Sequence, residues 1–199
     1  MANATTAMLR RLLGGFLVTV ALIQAASAGP YEDGVDAYAR SDYAAALALW
    51  RPLAEHGDGL AETQLGLMYF AGRGVAQDYA QALQWYRLAA DQGDANAEFY
   101  LGVMYFGGQG VPRDATQAVK WYLLAANQGL VWAEGNLGYM YATGQGVERD
   151  YVQALVWFNL AAAGGDTTAV QNGQLAAAQL TMAELIEAEH LTREWKPAR

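Results

Sequence analysis

The chain has 199 residues, 54% hydrophobic and 16% charged, with 20 acids against 12 Lys and Arg and a net charge of −8. That is enough apolar material for one packed domain or one array of small units, which excludes global disorder. The acidic balance repels phosphate backbones and anionic headgroups, so no nucleic-acid partner is expected. Cysteine is absent, which excludes disulfides, thiolate metal sites, Cys nucleophiles and a lipidated cysteine behind a leader.

Residues 1–28 read as an address. Arg10 and Arg11 precede the apolar run Leu12 to Ile23, and Ala26-Ser27-Ala28 follows as an A-x-A pattern. A positive n-region, a short h-region and a small-residue site together describe a secretory signal peptide. The alternative, a retained membrane anchor, needs about 20 apolar residues to span a bilayer. The paired arginines lack the fuller twin-arginine motif, and Met8 is an alternative start. Cleavage is expected after Ala28, leaving Gly29-Pro30 at the front of a mature chain without a stable membrane anchor. Its balance is 10 basic against 20 acidic residues. A periplasmic or secreted location follows.

Residues 29–57 form an opening unit with a helix over Tyr31–Arg40, a tight turn at Ser41, and a second helix from Asp42 through Trp50. From there a period of 36 residues governs the chain. Gly66, Gly102 and Gly138 keep that step, as do Trp85, Trp121 and Trp157. Asp78, Asp114 and Asp150 repeat with it, and so do Ala82, Ala118 and Ala154. Residues 58–166 therefore divide into three units of two helices each. The first helices are predicted over Ala61–Phe70, Ala97–Phe106 and Ala133–Ala142, with Ala61, Leu65 and Tyr69 on one face. A mid-helix glycine costs about 1 kcal/mol against alanine. Its recurrence predicts close approach of a neighbouring helix. Glu62, Glu98 and Glu134 fall in the first turn, where the helix dipole favours acids. Gly72, Gly108 and Gly144 supply left-handed C-caps, and Asp78, Asp114 and Asp150 N-cap the second helices. Residues 167–199 lose the register and predict two capping helices, Thr167–Leu180 and Thr181–Trp195. The second opens on a Thr181/Glu184 capping box.

Ala97, Leu101, Gly102, Tyr105, Gly108, Gly110, Val111, Asp114, Ala118, Trp121, Tyr122, Ala125, Ala126 and Gly129 spell out a pattern that resembles the Sel1-like repeat, a relative of the tetratricopeptide (TPR) helix pair. The units at Ala61 and Ala133 match almost as well, and the opening unit resembles a shorter TPR-like repeat. The resemblance implies an all-α, right-handed superhelical solenoid of antiparallel helix pairs that works as an adaptor surface, with bacterial members often exported. Cysteine-rich relatives described as β-lactamase-like rely on paired cysteines that this chain lacks, so that activity does not transfer.

Chemistry has few candidates. Ser41 is the one serine after residue 28 and sits in neither S-x-x-K nor G-x-S-x-G. His56 and His190 have no paired spacing and read as a helix-end and a helix-surface residue. The three G-x-G loops lack a preceding strand and a G-K-[ST], and read as helix caps. No catalytic residue, metal or cofactor is expected. Trp85, Trp121 and Trp157 are expected in the core between units, where truncation to alanine costs ~3–5 kcal/mol. A second stripe runs beside the core face: Leu60, Thr63, Leu67, Phe70; then Asn96, Phe99, Val103, Phe106; then Trp132, Gly135, Tyr139, Ala142. In TPR-like solenoids the corresponding stripe lines the concave side. Thr63, Leu67, Phe70, Phe99, Val103, Phe106, Trp132 and Tyr139 are therefore candidate residues of a groove for a partner peptide or helix; the alternative is burial against the neighbouring helix. The function expected is an exported, non-catalytic protein-binding adaptor of the bacterial envelope. A secreted host-interaction factor and an envelope enzyme acting on cell wall or polysaccharide are the alternatives.

Overall fold

A computed structural model describes residues 29–197; the leader and the cleavage after Ala28 expected from the sequence lie outside the described residues. Ten helices follow one another, and no strand occurs among the described residues. They are α1 (Pro30–Ala39), α2 (Tyr43–Glu55), α3 (Gly59–Ala71), α4 (Tyr79–Asp91), α5 (Ala95–Gly107), α6 (Ala115–Asn127), α7 (Val131–Thr143), α8 (Tyr151–Ala163), α9 (Thr167–Ala177) and α10 (Met182–Glu194). From α1 to α9 each helix packs on the next in sequence, and α10 passes over α9 and folds back onto α8 to close the array. None of these helices is long and apolar enough to cross a membrane.

The sequence sets the helix ends locally. The carboxylates of Asp78, Asp114 and Asp150 accept first-turn backbone N–H groups of α4, α6 and α8. Asp42, Asp58, Asp94 and Asp166 do the same for α2, α3, α5 and α9. Gly72, Gly108 and Gly144 stop α3, α5 and α7 in left-handed geometry, at φ 66°, 71° and 73°, where a side chain is strained. Thr181 and Glu184 form a full capping box on α10. Ser41 turns the chain between α1 and α2 at φ 63°. His56 follows the last residue of α2, its ring Nδ1 2.6 Å from the Pro52 carbonyl oxygen, and exposed His190 lies 3.4 Å from Glu194.

The recurring mid-helix glycines meet a ring, and the ring is not the tryptophan. A Cβ on Gly66 would stand 2.5 Å from Tyr86, one on Gly102 2.6 Å from Tyr122, and one on Gly138 2.5 Å from Phe158. Gly34 in α1 faces Trp50 in the same way, so Trp50 takes the place held by Tyr86 one period later. The tryptophans reach the other way. Trp85 packs against the cluster of Trp50, Leu65 and Met68, and Trp121 against that of Tyr86, Leu101 and Met104. Trp157 joins that of Tyr122, Leu137 and Met140. Each thus ties its second helix to the preceding unit. Trp85 and Trp121 stay half-buried while Trp157 is buried.

Gly102→Ala should destabilise the protein by about 1–3 kcal/mol in urea unfolding, because overpacking against Tyr122 outweighs the ~1 kcal/mol propensity gain. The Tyr86 hydroxyl is buried with no hydrogen-bond partner among the described residues, and the third unit carries Phe158 there. Tyr86→Phe should therefore leave stability unchanged or raise it by about 1 kcal/mol in the same assay.

Candidate functional site

The first helices of successive units face a common side. α3 approaches α5 and α7 approaches α9, whereas α4, α6 and α8, the second helices of the three repeats, stay further apart from one another, so the repeats curve toward their first helices. One cavity of about 230 Å³ is lined by Tyr31 of α1, Leu60, Thr63, Gln64 and Leu67 of α3, Asn96 and Tyr100 of α5, and Trp132 of α7, with Asp94 at its edge. A second, of about 630 Å³, shares Asn96 and Trp132 and runs on past Leu130 to Asp166 and Thr167. Together they trace a groove with Trp132 at its centre.

The groove wall is aromatic and amide-rich. Trp132 is 59% exposed, Leu60 52% and Tyr139 44%. The Trp132 ring lies 6.0 Å from Phe99, which also touches Tyr100 and Tyr122. The one charged residue in the wall of the first cavity, Asp94, is already engaged by the Ala97 N–H and the Thr63 hydroxyl. Gln64 donates to the Tyr31 hydroxyl at 3.3 Å.

The residues named from the sequence separate into two groups. Leu67 and Trp132 line the groove, and Tyr139 lines a separate cavity further along the array. Phe99, Val103 and Phe106 are half-buried against the cluster between α6 and α7, and Phe70 packs on Tyr79 and Tyr100. Thr63 is buried and spends its hydroxyl on Asp94. Tyr31, Gln64 and Tyr100 line the groove and fall outside the stripe. Tyr31 belongs to the opening unit, whose shorter loop hides its register, and Tyr100 follows the stripe position Phe99 by one residue.

A family model described as the Sel1 repeat matches residues 22–58, 59–94, 95–130 and 133–166 in succession. The chain belongs to the Sel1 repeat family. It is similar to the crystal structure of a Sel1 repeat protein from Oxalobacter formigenes, with 34% identity and a TM-score of 0.69 over 73% of this chain and 60% of that one. It is also similar to c5321, a protective antigen of uropathogenic Escherichia coli with an SLR fold, with 31% identity and a TM-score of 0.58 over 76% of this chain and 40% of that one. The chain thus matches less than two thirds of the length of either. A search of curated proteins gives no match. Sel1 repeats generally serve as protein–protein interaction scaffolds.

The Sel1 units also bury a repeated acid. Glu62, Glu98 and Glu134 are first-turn residues, yet each is buried. Gln92 donates to Glu62 and Gln128 to Glu98, both at 2.8 Å. The third copy has Gly164 where these glutamines stand, and the Val131 side chain fills the space that a Cβ there would need. Glu134 is 3% exposed, and its carboxylate has no hydrogen-bond donor among the described residues. Desolvation raises its pKa from 4.5 to about 7. The sequence signal was the break in the series Gln92, Gln128, Gly164.

An unfolded chain loses this proton near 4.5, so between about pH 4.5 and 7 the folded state holds the extra proton. The stability linked to Glu134 is complete below that window and is lost as pH rises through it. In thermal melts at pH 5 and pH 8, wild type should fall relative to Glu134→Gln at the higher pH, and the two curves should converge at the lower.

Proposed function

We propose that this protein is an exported, non-catalytic scaffold of the bacterial cell envelope that binds a peptide or helix of another protein along its concave groove. The observation that carries this reading is the placement of exposed Trp132, Leu60 and Tyr139 on the side toward which the array curves. Isolated exposed apolar residues are ordinary, but large rings gathered in a concavity fit a partner's side chains. Export is supported by the leader reading of residues 1–28, and the envelope assignment by the bacterial origin of both similar structures.

A second reading has a specific observation in its favour: the likeness to a protective antigen suits a secreted factor that meets a host surface. Fractionation separates the two, because an envelope scaffold stays in the periplasm and a secreted factor enters the medium. N-terminal sequencing of the exported form should begin at Gly29.

The groove is tested by placing a photo-crosslinking benzoylphenylalanine at Trp132 in the full chain, with a matched probe at Leu88, which is exposed on α4. Protein adducts should form from position 132 and not from 88; equal labelling would overturn the reading. Leu60→Ala, Trp132→Ala and Tyr139→Ala combined should abolish those partner contacts while shifting the melting temperature little, since surface substitutions typically stay within about 0.5 kcal/mol each.

A further inference from the structure

Beside Tyr139 opens a third cavity, of about 300 Å³, whose lining includes Ala142 of α7, Tyr151 and Phe158 of α8, Asn172 of α9 and Gln179 just beyond it. Two periods upstream the same places hold Leu67, Phe70, Tyr79, Tyr86, Tyr100 and Gly107. There the rings close on one another. Phe70 lies 5.4 Å from Tyr79 and 6.0 Å from Tyr100, and Tyr100 stacks on Tyr86 at 5.0 Å. In the last unit Ala142 stands for Phe70 and Asn172 for Tyr100. Two rings of the cluster are gone, while the two they packed against remain as Tyr151 and Phe158. The space the missing rings leave opens to the surface between exposed Tyr139 and Leu175.

The chemistry of the lining points to what fills it. No charged residue lines the cavity, and the side-chain amides of Asn172 and Gln179 bond to no described residue. The cation beside it is Arg149, whose guanidinium sits 5.7 Å from the Tyr151 ring centroid. Charge complementarity thus favours a neutral ring in a neutral or acidic segment and disfavours a lysine- or arginine-rich one.

We propose that this cavity is an anchor site for one aromatic side chain, Phe or Tyr, of the partner segment, taking the place that Phe70 and Tyr100 fill within the chain itself upstream. Tyr151 and Phe158 supply aromatic faces at which a ring packs offset or edge-on, and the free amides of Asn172 and Gln179 meet the backbone of the residue that carries it. Buried aromatic anchors of this kind dominate the affinity of many interfaces. The proposal deepens the groove reading and rests on it: Tyr139 belongs both to the stripe and to this cavity.

The test is an NMR titration of the isotope-labelled full chain with N-acetyl-L-phenylalaninamide, with N-acetyl-L-alaninamide as the control. The phenylalanine probe should shift the side-chain amides of Asn172 and Gln179 and the Ala142 methyl saturably, and the alanine probe should not. Ala142→Phe and Asn172→Tyr rebuild the upstream cluster and should each weaken the probe by about tenfold or more. Tyr151→Ala removes a wall without adding bulk, should also weaken the probe, and decides the matter if the refilled variants misfold. No shift at these groups, an equal response to the alanine probe, or unchanged binding in the variants would overturn the proposal. If crosslinking from position 132 persists while the titration is silent, the anchor site fails and the groove stands. If the titration shifts while no crosslink forms, the groove fails and the aromatic site stands.

Discussion

Each of the first four helix pairs depends on one contact, a ring of the second helix laid on a glycine of the first. Tyr86 on Gly66, Tyr122 on Gly102 and Phe158 on Gly138 repeat it, and Trp50 on Gly34 gives the opening unit its own version. A methyl group at any of these glycines would stand inside the ring's van der Waals surface, so the glycine is what lets the two axes approach. The helix propensity it sacrifices, about 1 kcal/mol, is small beside the aromatic area that the contact buries.

That contact also decides what the neighbouring residue can do. With Tyr86, Tyr122 and Phe158 turned inward on their own unit, Trp85, Trp121 and Trp157 project into the cluster of the unit before. Two adjacent aromatic positions thus divide the work: one closes the pair, the other links pairs in series. Nearest-neighbour linkage of this sort is what makes a repeat array quasi-one-dimensional. It leaves the outward faces of the first helices free of structural duty, and on those faces Leu60, Trp132 and Tyr139 are exposed.

Where the units depart from their own pattern, the departures gather toward the end of the array. Leu130 replaces the capping aspartate of the earlier units, and α7 begins without a side-chain cap. Gly164 replaces the glutamine that satisfies a buried glutamate, and Ala142 replaces the phenylalanine of both earlier units. None of these positions carries the glycine–ring contact, so the scaffold survives their change. The consequences are local: an acid without a donor, and a cavity where a ring would have packed.

The sequence by itself determined the repeat length, the number of helix pairs, their caps and the need for close approach at the glycines. These are local or periodic properties: an aspartate caps its own helix, and a glycine repeated at one step can be read without a partner. It did not decide which of two adjacent aromatics the glycine serves. Trp85 and Tyr86 are neighbours in the chain, and the choice depends on the angle at which two helices cross. The same dependence moved Thr63 into a buried hydrogen bond with Asp94, and half-buried Phe99 and Phe106, while leaving Trp132 in the open. Only the tertiary structure brought Tyr31 and Trp132, far apart in the chain, into one groove wall, because curvature sums small rotations over several units and no single unit records it.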